Sequence, residues 1–239
     1  MLAASQRGNP KLVIKLPPPQ LKSKVSLEEA IAKRRSVRKY TTEPLTLVQV
    51  SQILWSAQGV TGAGKLRAAP SAGATYPLEI FAFIGKQGVL ASRSSDPEEN
   101  EGEKTAKQSQ EELQAGIYHY EVSNHSLVLH LPGDLRRDLA RAALDQGFIA
   151  NGPMDIVICA LYPRTSYRYG RRGERYVHME VGHVGENIHL QAVALGLATV
   201  EVGAFDDEEV RRVLKLEEQI KPLYIMPLGK PLQKQKLKY

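Results

Sequence analysis

The sequence predicts a single α+β domain, and three observations predict it. The stretches "GIYHYE" (116–121) and "SLVLHL" (126–131) flank Ser123-Asn124-His125 in the pattern of a β-hairpin. Three more runs, "LEIFAFI" (78–84), "DIVICAL" (155–161) and "PLYIMPLG" (222–229), are apolar and rich in β-formers, and read as buried strands. Capped helical segments stand between them, so hairpin-joined and helix-joined strands share one chain. No internal repeat is present.

In chain order, residues 1–25 read as an extended arm, stiffened by Pro17-Pro18-Pro19. A capping box, Ser26-Leu27-Glu28-Glu29, opens a short helix through about Lys33. A second box, Thr46-Leu47-Val48-Gln49, opens a helix with Leu47, Val50, Ile53, Leu54 and Ala57 on one face, ending before Gly59. The segment from about 87 to 114, with "SRSSDPEENEGEKTAKQSQEE" at its centre, has no apolar periodicity and reads as a solvated loop. Asp134 is placed to cap a helix running to about Gln146. A long helix is expected from about Glu174 to Leu195, stopped by Gly196. An extended "ATVEVG", an Asp206-capped helix to Leu214 and the strand "PLYIMPLG" complete the domain, leaving 232–239 as a basic tail.

The 239 residues suffice for a substantial core, and 42% hydrophobic with 24% charged residues is ordinary for a globular chain. The single cysteine, Cys159, excludes an intramolecular disulfide and a multi-cysteine zinc site. No run approaches the ~20 apolar residues of a membrane span. The first twenty residues lack a sustained apolar segment, so a cytoplasmic protein without a membrane partner is expected. The net charge of +6 comes from scattered clusters with no zinc-finger or RNA-binding signature, which argues against nucleic acid as the partner.

Two stretches invite chemistry. In "KRRSVRKY", Arg34, Ser36 and Arg38 alternate, so an extended segment projects them to one side. Guanidinium forks and a hydroxyl together suit a phosphate, although a solvated basic turn has the same composition. In "APSAGATYPLEIF", a side-chain-poor segment with Gly73 precedes a core strand; it is either a tight turn or a loop lying against a flat ligand. There is no G-x-S-x-G elbow, Walker loop or G-x-G-x-x-G after a strand. His178, His183 and His189 are five and six residues apart, which does not stack ligands on a helix, so no metal site is expected. An enzyme of this kind would leave its chemistry to a cofactor.

The order "RRSVRKY", "APSAGATYPLEIF", "ENIHLQAVALGLATVEVGAFDDEEV" and "PLYIMPLGKP" resembles the nitroreductase-like flavoprotein superfamily across about residues 26–231. The central 115–153 stretch is similar to the SagB-type dehydrogenases within it, a group that includes azoline oxidases. The resemblance implies a dimeric FMN-binding fold, with a mixed sheet flanked by helices and flavin sites at the interface between two copies. It implies that Arg34 and Ser36 hold the FMN phosphate, with Arg35 among the cofactor-binding residues, while Arg38 reaches toward the ribityl chain and the pyrimidine edge of the ring. Pro70, Ser71, Ala72 and Gly73 match the loop along the isoalloxazine, usually supplied by the opposite subunit. Gly203 and Ala204 match backbone positions facing the flavin N5 and O4. Lys230, or a later lysine, stands where the family usually carries a late phosphate-binding arginine.

The activity so implied is hydride transfer to or from a small organic or peptide-derived substrate. An NAD(P)H-dependent nitroreductase or flavin reductase, with NAD(P)H as co-substrate, is the alternative. A non-catalytic flavin- or anion-binding module is the reading from another class. Azoline oxidases of the SagB type carry a Lys-Tyr pair where this chain has Arg168-Tyr169 in "SYRYGRRGERY". A lysine can be tuned to a neutral base, whereas a guanidinium stays protonated. Arg168 is therefore expected to orient an anionic or carbonyl-bearing substrate, with Tyr169 beside the reacting carbon.

Overall fold

A computed structural model gives the fold and describes residues 12–92 and 110–232. Its centre is β3 (Leu78–Ile84), which alternates between two faces: Leu78, Ile80, Ala82 and Ile84 enter one core cluster, Phe81 and Phe83 the other. Burying each of the larger side chains contributes ~1.5–3 kcal/mol. On one side β3 pairs with β6 (Gly116–Glu121), which forms the expected hairpin with β7 (Ser126–Pro132). On the other it pairs with β8 (Met154–Leu161), which pairs in turn with β9 (Ile220–Leu228). Val13–Lys15, within the expected arm, forms β1 on the free edge of β7. The six-stranded order is β1-β7-β6-β3-β8-β9.

Every pair in that sheet is antiparallel. Parallel strand pairing, expected within a mixed sheet, occurs instead in a small second sheet. There β2 (Leu45–Thr46) runs parallel to β4 (Val89–Ser92), which pairs antiparallel with β5 (Gln110–Glu112). The flanks of the segment read as a solvated loop are therefore strands. Val89 is fully buried and Leu113 nearly so, enough apolar burial to order both ends. Residues 93–109, 1–11 of the arm and 233–239 of the tail lie outside the described residues.

The helices follow their caps. α1 (Leu27–Lys33) starts at Ser26, whose hydroxyl accepts from the Glu29 N–H, and α2 (Leu47–Gln58) starts at a complete Thr46/Gln49 capping box. Asp134 does not cap α3 (Arg136–Ala142). Its carboxylate accepts from the Arg136 N–H at a long 3.4 Å and more closely from the Arg136 side chain and the Lys86 N–H, and these bonds hold its pKa down at about 2 against the opposing effect of burial. α4 (Pro163–Tyr169) was not foreseen; Pro163 at its first turn opens it and Gly170, at φ 57°, closes it. The long helix α5 (Arg172–Ala194) and α6 (Asp207–Leu214) follow as expected. Residues 198–202 make only isolated bridges, to Ser36, Gly229 and Ile225, so "ATVEVG" is not a full strand. α2 and α5 pack with one sheet face, α3 and α6 with the other. No helix among the described residues is long and apolar enough to cross a membrane.

Asp155 on β8 is fully buried, and neither of its carboxyl oxygens has a hydrogen-bond partner. Burial drives its pKa well above the usual value, and the Arg136 charge does not offset this. A raised folded pKa means stability is fully present below the unfolded value of ~3.9 and falls as pH rises through the folded one, by up to about 1.4 kcal/mol per unit. Asp155→Asn should therefore melt higher than the parent at pH 8, with the gap closing toward pH 4. Parallel melting curves across that range would show that the carboxyl finds a charge partner.

Candidate active site

After α1, Arg34 turns into extended backbone at φ −54° and ψ 125°. Ser36 then bridges in parallel to Thr199, and the Val37 N–H donates to the Thr199 carbonyl at 3.0 Å. Arg34 is half-buried, while Ser36 and Arg38 are exposed. Among the described residues no carboxylate forms an ion pair with Arg34, Arg35 or Arg38. Arg38 lies 5.7 Å over the Phe148 ring. Arg35 turns back onto the carbonyls of Ala32 and Arg34, at 3.1 and 2.7 Å, so its guanidinium serves the helix end instead of joining the other two.

Beneath this segment the buried His189 ring bonds the Arg35 carbonyl through Nε2 (3.1 Å) and Glu201 through Nδ1 (2.9 Å). Burial works to raise the Glu201 pKa, but the His189 bond and the His189 and Arg34 charges hold the carboxyl below its usual range. Glu186, His189 and Glu201 lie within 4.8 Å of one another, as metal ligands could. Both His189 ring nitrogens are already bonded, however, and through them His189 and Glu201 prop the basic segment, while Glu186 is exposed. The signal was in the sequence: Glu186 and His189 are three residues apart on one helix.

The small-residue loop forms a second group. Gly73 and Ala74 have φ of 59° and 52°. Ser71 Oγ accepts from the Tyr76 N–H at 2.9 Å. Thr75 and Thr165 share a hydroxyl hydrogen bond of 2.8 Å, joining the loop to α4. Arg164 anchors α4 from below, by an ion pair to Glu79 at 2.5 Å and a bond to the Tyr76 carbonyl at 3.1 Å. Arg168 then donates to the Gly73 carbonyl at 3.4 Å. A Cβ on Gly73 would sit 2.6 Å from Tyr169 Oη and 2.9 Å from Arg168 Nη1. The space that glycine leaves is thus filled by Arg168 and Tyr169 of the same chain. Tyr169 is held edge-on against Tyr176, with ring centroids 5.1 Å apart.

Gly203 and Ala204 are exposed and continue the segment that carries Thr199 and Glu201, so one wall presents them together with Ser36. Ala204 accepts from Gln146 Nε2 at 2.8 Å. Lys230 departs from expectation: its ammonium pairs with Glu43, and its carbonyl accepts from the Thr41 N–H at 2.9 Å. Opposite charge close by holds that side chain at the surface. The chain thus brings Ser36 to 199–204, and Gly73 to Arg168 and Tyr169. The two groups rest on α5 at His189 and near Glu180, nine residues or about 13 Å apart along its axis.

A flavin phosphate fits the first group on this structure's own terms. Among the described residues Arg34 and Ser36 offer donors that no carboxylate holds in an ion pair, Glu201 feeling Arg34 only through its charge, and the buried Thr199 hydroxyl at the register of Ser36 has no hydrogen-bond partner.

The Nitroreductase family matches residues 31–230. A Methanocaldococcus jannaschii protein bearing a provisional nitroreductase name is 44% identical over 209 residues, covering 87% of this chain and 93% of that one. The Escherichia coli microcin B17-processing protein McbC is 25% identical over 192 residues, covering 77% of this chain and 62% of McbC. A solved structure from Ralstonia eutropha JMP134, also provisionally named a nitroreductase, superimposes with a TM-score of 0.73 at 24% identity, covering 93% and 90% of the two chains. The fold and site thus define a flavin-type oxidoreductase. The chain belongs to the nitroreductase family, and its kinship with McbC bears out the resemblance to the SagB-type subgroup.

Proposed function

We propose that the protein is an FMN-dependent oxidoreductase of the SagB-type group, acting on a small organic or peptide-derived substrate that carries an anionic or carbonyl group. The observation that carries this reading is the unit of Gly73, Arg168 and Tyr169, which sets a guanidinium and a phenol beside the small-residue loop. FMN held there would supply hydride transfer at its N5. Arg34 and Ser36 would hold its phosphate, Arg38 would face the ribityl chain, and the Gly203 and Ala204 backbone would line the ring edge. Arg168 would orient the substrate, while Tyr169 would hold or give up a proton at its Oη. Lys230, engaged by Glu43, would reach the phosphate only by leaving that pair. The protein would work as a homodimer, with the exposed strip of α5 at Met179, Gly182, His183 and Glu186 between copies.

A second reading, an NAD(P)H-dependent nitroreductase or flavin reductase, is favoured by the 44% identical nitroreductase-named relative and by Arg168 standing in place of a lysine. Anaerobic mixing with NADH or NADPH separates the two: rapid bleaching of the bound flavin selects the second. Both readings share one expected result. Arg34→Ala should bind FMN about ten- to a hundredfold more weakly, since a charged hydrogen bond contributes roughly 1.5–3 kcal/mol. Equal FMN affinity by fluorescence titration would take Arg34 off the phosphate.

A further inference from the structure

The loop from Arg67 to Tyr76 is closed underneath by a ring of polar side chains. The Tyr76 N–H donates to Ser71 Oγ at 2.9 Å, and Ser71 acts on the Glu180 carboxyl of α5, working to lower its pKa. Glu180 Oε1 accepts from Gln58 Nε2 at 3.4 Å, and Gln58 Oε1 accepts from Arg67 Nη1 at 3.1 Å. The Arg67 N–H then donates to Tyr76 Oη at 3.2 Å, and the Arg67 guanidinium lies 4.4 Å from the Tyr76 ring centroid. The bonds from Glu180 through Gln58 and Arg67 thus end on Tyr76, whose own N–H holds Ser71.

Its members are costly to hide. Gln58 is 0% exposed and Glu180 3%, and buried polar groups are retained where their partners are complete. The Gln58 amide fits only one way round, its nitrogen toward the carboxyl and its oxygen toward the guanidinium. Burial raises the Glu180 pKa against the pull of Ser71, Gln58 and Arg67, and glutamine keeps the length of that side chain and an oxygen that can accept from Gln58. The other ties of the loop above run to α4, from Thr75 to Thr165, from the Tyr76 carbonyl to Arg164 and from the Gly73 carbonyl to Arg168. Gly73, Ala74 and Tyr76 all stand at positive φ, and residues 70–76 are exposed or half-buried. A backbone in that region persists only where its surroundings over-determine it.

We propose that Glu180, Gln58 and Arg67 are positioning residues, a buried brace that fixes the Pro70–Gly73 turn and, through it, the placement of Arg168 and Tyr169. The consequence for the flavin rests on the reading above; the brace itself does not. The experiment compares Glu180→Leu and Glu180→Gln in two measurements. Hydrogen–deuterium exchange of residues 67–76 in flavin-free protein should speed up about tenfold or more in the leucine variant and stay near wild type in the glutamine variant. FMN titration should then show about tenfold weaker binding, with a visible spectrum closer to that of free flavin, in the leucine variant alone. Unchanged exchange in Glu180→Leu overturns the brace. Faster exchange with unchanged FMN binding overturns its link to the site. A wild type that takes up no FMN overturns the flavin reading, while exchange still decides the brace. If Glu180→Leu does not fold, Arg67→Met breaks the same circuit from its half-buried end and is read the same way.

Discussion

Gly73→Ala should leave a folded, flavin-binding protein whose turnover falls about a hundredfold, the cost of misplacing reacting groups by roughly an ångström. The new methyl would meet Tyr169 Oη at 2.6 Å and the Arg168 guanidinium at 2.9 Å. Both are the far ends of flexible side chains, so the collision is relieved by moving them, with little strain on the fold. The substitution also places alanine at φ 59°, which costs about 1–2 kcal/mol. The melting temperature should therefore drop only by several degrees while activity collapses. The measurement is turnover set beside thermal unfolding. Activity that falls only in proportion to stability would mean Arg168 and Tyr169 do nothing at the reacting atoms.

Two inactive variants should restore each other when mixed. Gly73, Arg168 and Tyr169 meet within one chain. If that loop lies over the flavin of the opposite subunit, as family resemblance implies, Tyr169 must cross the interface with it. A site would then combine Arg34 and Ser36 of one copy with Tyr169 of the other. An Arg34→Ala/Ser36→Ala chain and a Tyr169→Phe chain, unfolded and refolded together, give hybrids with one intact site and one doubly damaged. Random pairing of equal amounts recovers about a quarter of wild-type activity, from near zero for either parent alone. If each site draws all its residues from one chain, no hybrid is active.

The fold was more legible than the site. Hairpin, core strands and capped helices announce themselves through local periodicity and short-range capping, and they stand where expected. α4 escaped because "PRTSYRY" has no apolar period and holds its place by Arg164 reaching Glu79 and Tyr76, contacts far away in sequence. Asp134 looked like a cap but had a better partner two residues on. At the site, the alternating Arg34, Ser36 and Arg38 and the small-residue loop were visible because their spacing is local. The partners of His189 and Glu180 were not, since nothing in a helical sequence says which buried polar residue will meet a segment 100 or more residues away. Arg35 shows the converse: the right residue type in the right motif, drawn off by two carbonyls close at hand.

The closing of the basic segment also has a direction in time. The Leu232 N–H reaches back to the Lys39 carbonyl at 3.0 Å, the Thr41 N–H to Lys230, and Tyr40 bridges Pro231. Residues 34–40 emerge early from a ribosome, yet the strand that clamps them is made almost two hundred residues later. Until then the segment has neither Thr199 nor residues 230–232 beside it, and β8 waits unpaired on its outer edge for β9. A nascent chain broken off before that point would be left with the arginines but without their frame.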